Sequence, residues 1–104
     1  MKLWLDDERP MPPGYDVHVK TAREAIIFIK KHDVTEVSLD HDLGPIENCG
    51  TGYDVACFIE EQVVYEDKAP PKWNLHTANP VGRKAMRMAL TQADRLWDKT
   101  KKEG

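Results

Sequence analysis

Three short apolar runs in this chain each stop abruptly at a cluster of polar residues, and helix-start signals stand between them. Leu3-Trp4-Leu5 runs into Asp6-Asp7-Glu8, Val37-Ser38-Leu39 into Asp40-His41-Asp42, and Trp73-Asn74-Leu75 into His76-Thr77-Ala78-Asn79. Apolar runs of this length, closed by polar or turn-forming residues, read as strands rather than helices. Between them, Thr21-Ala22-Arg23-Glu24 has the form of a capping box, and Ala22, Ala25, Ile26 and Ile29 recur at helical spacing. Thr51-Gly52-Tyr53-Asp54 opens a second helix, with Val55, Ile59 and Val63 on one face and Phe58 and Gln62 beside it. Asn79-Pro80 supplies a favoured N-cap and a proline at the first helical position. Met86, Ala89, Leu90, Ala93, Leu96 and Trp97 then follow at three- and four-residue steps.

Strands alternating with helices predict an α/β sheet whose strands run mostly parallel. The expected elements are strands at 2–6, 15–20, 36–40 and 73–77, with helices at 22–32, from 51 onward, and from 80 to about 100. Residues 43–50 read as a loop bearing Gly and Pro, and 67–72 as a linker. The first connection differs from the others, because Glu8 to Tyr15 holds Pro10, Pro12 and Pro13 and is too short for a helical crossover. A parallel return by an extended loop is the favoured reading; an antiparallel edge strand is the alternative. With 104 residues the chain makes one domain, 1–104, whose segment 95–104 reads as a helix end with a flexible basic tail.

No apolar run approaches the ~20 residues that span a bilayer, and no basic segment precedes an apolar one at the N-terminus. Cys49 and Cys57 match neither a zinc-finger spacing nor a disulfide framework. A cytoplasmic protein with free thiols and no membrane contact is expected. The net charge of −3 conceals a division: residues 1–67 carry 15 acidic and 6 basic side chains, while 68–104 carry 3 and 9. The basic part has no interleaved aromatic stripe, which argues against nucleic acid. Its Arg83, Lys84 and Arg87 fall in the first two turns of the last helix, where they oppose the helix dipole. An anion bound at that helix start would remove the conflict. Arg83 is the first choice to face it, and Lys84 the second.

Ligands of parallel sheets bind outside the carboxyl ends of the strands, where the polar clusters lie. Asp6, Asp7 and Asp40 repel one another there unless a pKa rises or a cation neutralises them. Oxygen donors suit Mg²⁺ or Mn²⁺; an imidazole among them would favour Mn²⁺, Fe²⁺ or Zn²⁺, or would serve as the acid/base group. Asp42 is a further acid at the same strand end. His76, beside a strand-end Thr, is the candidate proton shuttle. His41, between two acids, has a structural and a functional reading. Thr77, Asn79 and Arg83 are placed to hold phosphate oxygens. His18 and His32 read as surface residues.

These residues carry a family resemblance. The pair Asp6-Asp7 and the later Asp40 resemble the acidic pocket of response-regulator receiver domains, in which the acids bind Mg²⁺ and the third accepts a phosphoryl group. "LDDERPMPPG", "SLDHDLG", "TGYDVA" and "HTANPVGRKAM", spanning residues 3 to about 88, resemble more closely a divergent branch, the cyclic-phosphate processing receiver-like family. That resemblance implies a small three-layer, flavodoxin-like sandwich with a mostly parallel four-stranded sheet, ending after the fourth strand and its helix. Three features depart from ordinary receivers. A proline-rich loop replaces the first helix, the fifth strand and its lysine are missing, and His76 enters the pocket region. They argue against Asp40 as a stable phosphoacceptor.

The resemblance implies a role in processing cyclic phosphates, such as those of ADP-ribose or of nucleotides. The expected activity is a divalent-metal-dependent phosphoesterase opening a small cyclic phosphate. Its metal would be held by Asp6, Asp7 and Asp40, its chemistry carried by Asp40, His76 and Asp42, and its substrate held by Thr77, Asn79, Arg83 and His41. The alternatives are a protein that binds or sequesters a nucleotide without turnover, and a receiver-derived module that contacts another protein.

Overall fold

The computed structural model describes residues 1–103, with side chains described through Thr100. Strands β1 (Lys2–Leu5), β2 (Val17–Val19), β3 (Glu36–Leu39) and β4 (Lys72–Leu75) alternate with helices α1 (Ala22–Lys31), α2 (Ile46–Cys49), α3 (Gly52–Glu66) and α4 (Pro80–Glu103). All strand pairs are parallel and the sheet order is β2-β1-β3-β4. The β1–β2 connection therefore makes the parallel return, in register Leu3 to Val17 and Leu5 to Val19. Its prolines keep the chain extended, and Gly14, at φ +97, supplies the left-handed turn before β2.

Handedness decides what covers each face. Right-handed crossovers from β2 to β3 and from β3 to β4 both advance in one direction along the sheet, which puts their helices on the same face. The packing agrees: α1 rests on α3 and α3 on α4. Between these helices and the sheet lies the core, made of Leu3, Leu5, Val19, Val37 and Leu39 from the strands with Ala25, Ile29, Val55, Ile59, Met86, Leu90 and Ala93 from the helices. The β1–β2 connection advances the other way and covers the opposite face as a strap, whose Tyr15 meets Trp4 edge-on at 5.3 Å. The outer layer on that face is thus a loop, not a helix.

Two differences from the sequence expectation are local. A single helical turn, α2, occupies part of the expected loop, following Pro45 and closed by Gly50 at φ +67. Four residues are too few for a hydrophobic period to reveal. The last helix runs to Glu103 rather than ending near residue 100, so Lys99 and Thr100 of the expected tail are helical; Gly104 lies outside the described residues. None of the helices is long and apolar enough to cross a membrane, among the residues described.

Candidate functional site

Strand order reverses between β1 and β3, since the chain leaves their neighbouring positions in opposite directions, and such switch points open a crevice at the carboxyl ends. Asp6 and Asp7 follow β1 there, Asp40 follows β3, and His76 and Thr77 follow β4. A cavity of about 260 Å³ sits at this edge, lined by Asp7, Glu8, Arg9, Asp40, Asp42, Gly44, Thr77 and Ala78.

Two motif glycines let the helices approach closely enough to shape this rim. A Cβ on Gly52 would lie 2.0 Å from the Asp40 carbonyl oxygen, and one on Gly82 would lie 2.4 Å from the His41 ring. Neither is a matter of backbone strain; both are matters of space. The starts of α3 and α4 are thereby pressed onto the segment that carries Asp40, His41 and Asp42.

The acids are in different states. Asp6 is fully buried. Its Oδ1 accepts from the backbone N–H groups of Glu8 and Arg9 at 2.8 and 2.9 Å, and its Oδ2 accepts from His76 Nε2 at 3.1 Å. Burial pushes its pKa up, but those N–H groups and His76 outweigh the burial and hold it below the ordinary value. Asp40 uses Oδ1 to accept from the His41 N–H at 2.8 Å, while its Oδ2 has no hydrogen-bond partner among the described residues. The Asp7 carboxylate likewise has none among them. Asp42 is exposed and held below its ordinary pKa by His41 Nδ1, 2.8 Å from its Oδ1, with help from Asn79 Nδ2 at 3.3–3.4 Å.

His76 lies beneath the cavity rather than in its lining. Its ring stacks on Trp4, centroids 3.8 Å apart and planes within 3°, and both ring nitrogens are occupied: Nδ1 by Ser38 Oγ at 2.8 Å, Nε2 by Asp6. Burial lowers its pKa, with Asp6 and Asp40 pulling the other way, so the ring leans to the neutral form. Asn79 is committed to structure. Its Oδ1 caps α4 by accepting from the N–H groups of Val81 and Gly82, and its backbone N–H donates to Thr77 Oγ1. Arg83 donates to the Thr77 carbonyl at 2.6 Å and, with Ala78, Pro80, Lys84 and Arg87, lines an adjoining cavity of about 290 Å³.

The structure thus brings Asp7, Asp40, Asp42 and Thr77 to one cavity. Asp6 and His76 lie below it, His41 is clamped between Asp42 and Gly82, and Arg83 borders the neighbouring space. Asp6, Asp40 and His76 each offer an atom within 4.8 Å of the others, so a cation could also sit deeper. The sequence reading passed over four residues. His18, read as a surface residue, is half-buried, with Nε2 2.8 Å from the Asp6 carbonyl oxygen. Arg9 reaches from the strap to the His76 carbonyl, with its guanidinium 3.9 Å from Asp6 Oδ2. Ser38 and Asn74 face the same side of the sheet as Trp4. A serine inside an otherwise apolar strand was the available hint.

A profile of the cyclic-phosphate processing receiver domain matches residues 1–92. The chain belongs to that family. Searches of curated proteins and of solved structures returned no match.

Proposed function

We propose that the chain is a divalent-cation-dependent phosphoesterase that opens a small cyclic phosphate of the nucleotide or ADP-ribose type. One observation carries the reading. Asp7 and Asp40, from the ends of adjacent parallel strands, present carboxylate oxygens without protein partners among the described residues to a cavity that also holds Asp42 and Thr77. Carboxylates gathered this way favour a cation between them, and a set of oxygen donors suits Mg²⁺ or Mn²⁺. Asp7 and Asp40 would hold it, with Asp42 at the rim and Asp6 fixed behind them. When bound, such an ion polarises phosphoryl oxygens and makes water a better nucleophile near neutral pH.

The residues of the chain do the rest. The Thr77 hydroxyl, whose oxygen already accepts from Asn79, directs its proton toward a phosphate oxygen. Arg83, Lys84 and Arg87 have no ion-pair partner among the described residues and meet the remaining negative charge of the ligand in the adjoining cavity. The water oxygen bonds to phosphorus, one ring P–O bond breaks, and a proton passes to the departing alkoxide, leaving a phosphomonoester and a free hydroxyl. His76, engaged at both nitrogens, serves by holding Asp6.

Thermal melting in EDTA, Mg²⁺, Mn²⁺ and Zn²⁺, with and without 2′,3′-cyclic nucleotides and ADP-ribose cyclic phosphate, tests the reading. Metal should raise Tm in the wild type and not in Asp40→Asn, and the cyclic phosphate should be converted to a monoester. Tight binding with no product would instead establish a sequestering protein. No shift with any metal or nucleotide would turn attention to a protein partner.

A further inference from the structure

Counting donors along the polar chain that runs from the exposed Asn74 to the buried Ser38 and Asp6 gives the direction of each proton in it. The Asn74 amide Nδ2 can only donate, and it lies 3.3 Å from Ser38 Oγ. Ser38 has a single hydroxyl proton and is fully buried, so with its oxygen accepting from Asn74 that proton points to the other polar atom in reach, His76 Nδ1 at 2.8 Å. A neutral ring that accepts at Nδ1 carries its proton on Nε2, and Nε2 faces Asp6 Oδ2 at 3.1 Å. The sequence Asn74 to Ser38 to His76 to Asp6 is therefore a one-way relay. It crosses three strands' worth of the sheet face opposite the helices, and the Trp4 indole stacked on the ring prevents the imidazole from tilting out of line.

We infer that Ser38 and Asn74 are positioning residues: acting through His76, they hold the Asp6 carboxylate in a fixed orientation beneath the cation-binding cavity. The relay itself stands on the hydrogen-bond geometry, while its consequence for a cation rests on the reading proposed above. With Nε2 carrying a proton, that nitrogen has no lone pair to give a metal, and the cation's protein donors are oxygens alone. Groups in the shell behind the ligands commonly change metal affinity about 10- to 100-fold when their own support is removed.

Substitutions at two positions test it. Ser38→Ala deletes the middle of the relay, and Ser38→Thr keeps a hydroxyl at the same place. Asn74→Asp changes an exposed side chain, which spares the fold, and replaces the donor by an acceptor that draws the Ser38 proton away from His76. The readout is nitrogen-15 NMR of the His76 ring, with Mg²⁺ and Mn²⁺ affinity measured by calorimetry on the same samples. In the wild type, Nδ1 should report an unprotonated nitrogen and the Nε2 proton should exchange slowly with water. Because the Asp6 carboxylate can only accept, Nε2 keeps its proton in every variant. Ser38→Ala should make that proton exchange faster with water, and Asn74→Asp should move Nδ1 toward a protonated signal. Both should weaken metal binding about tenfold or more, and Asn74→Ala should do so less than Asn74→Asp. Ser38→Thr should restore both the slow exchange and the affinity. Nε2 exchange that stays slow in Ser38→Ala, together with an Nδ1 that stays unprotonated in Asn74→Asp, overturns the positioning role, as does an Nδ1 found protonated in the wild type. If the wild type binds neither metal, the phosphoesterase reading falls while the ring resonances still decide this one.

Discussion

On the helical face of the sheet, Leu3, Leu5, Val37 and Leu39 are sealed under three helices with no polar atom among them, whereas the opposite face carries Trp4, His18, Ser38 and Asn74 under a proline-rich strap. The first face contributes by removing apolar area from water and is indifferent to the direction of any one contact. The second contributes through hydrogen bonds whose donors and acceptors must match, and it holds a mismatch, the Trp4 Nε1–H, which is buried without a partner among the described residues. An orphaned donor of this kind costs about 1–3 kcal/mol, and the indole accepts it while lying flat on His76. One face makes the domain stable; the other aims the groups at its carboxyl edge.

Substitutions should separate the two roles. Leu3→Ala, on the helical face and at the far end from the site, should cost about 2–5 kcal/mol in urea unfolding. Below its lowered Tm it should bind metal as the wild type does; a lost metal response would mean that the two faces are not independent. Gly52→Ala joins the two effects, because the new methyl meets the Asp40 carbonyl itself and either the start of α3 or the site must move. A loss of about 1–3 kcal/mol is expected, together with a weakened metal-induced rise in Tm. Asn79→Ala removes the α4 cap and should cost about 1 kcal/mol, with the larger sign appearing as fraying of the first turn of α4 in hydrogen exchange.

The smallest effect is the dependence on pH. His76 has a folded pKa below its ordinary 6.5, so the unfolded chain takes up a proton that the folded ring resists. Its contribution is complete above that value and is lost as pH falls toward the folded pKa. Asp6, also depressed, contributes above its ordinary 3.8 and loses that contribution at still lower pH. Melting followed from pH 7 downward should therefore fall in two stages, and His76→Gln should remove the upper one. A first stage unchanged in that variant would place the titration elsewhere.

Much of the fold was legible because its causes are local. Thr21 accepts from the Glu24 N–H, Thr51 donates its N–H to Asp54, and Asn79 caps α4, each within a few residues of sequence. Apolar spacing fixed which side of α3 and α4 is buried. The acids at the ends of β1 and β3 were legible too, since alternation of strand and helix puts every strand end at one rim. The sequence could not say that Asp6 is buried and already satisfied while Asp7 beside it is open. That follows from which way the chain turns after Leu5.

By itself, then, the order of residues determined the parallel α/β plan, the strand-end acids, and the strap in place of a first helix. Only the tertiary structure decided that Asn74, Ser38, His76 and Asp6 form one chain of hydrogen bonds, that Gly52 and Gly82 make room for Asp40 and His41, and that His18 holds the Asp6 carbonyl. The physical reason is distance along the chain. Ser38 lies 38 residues from His76, and Asp6 lies 70 from it, so no local period or cap links them. They meet because pairing in register sets neighbouring strands side by side, and because one face of the sheet was left without a helix.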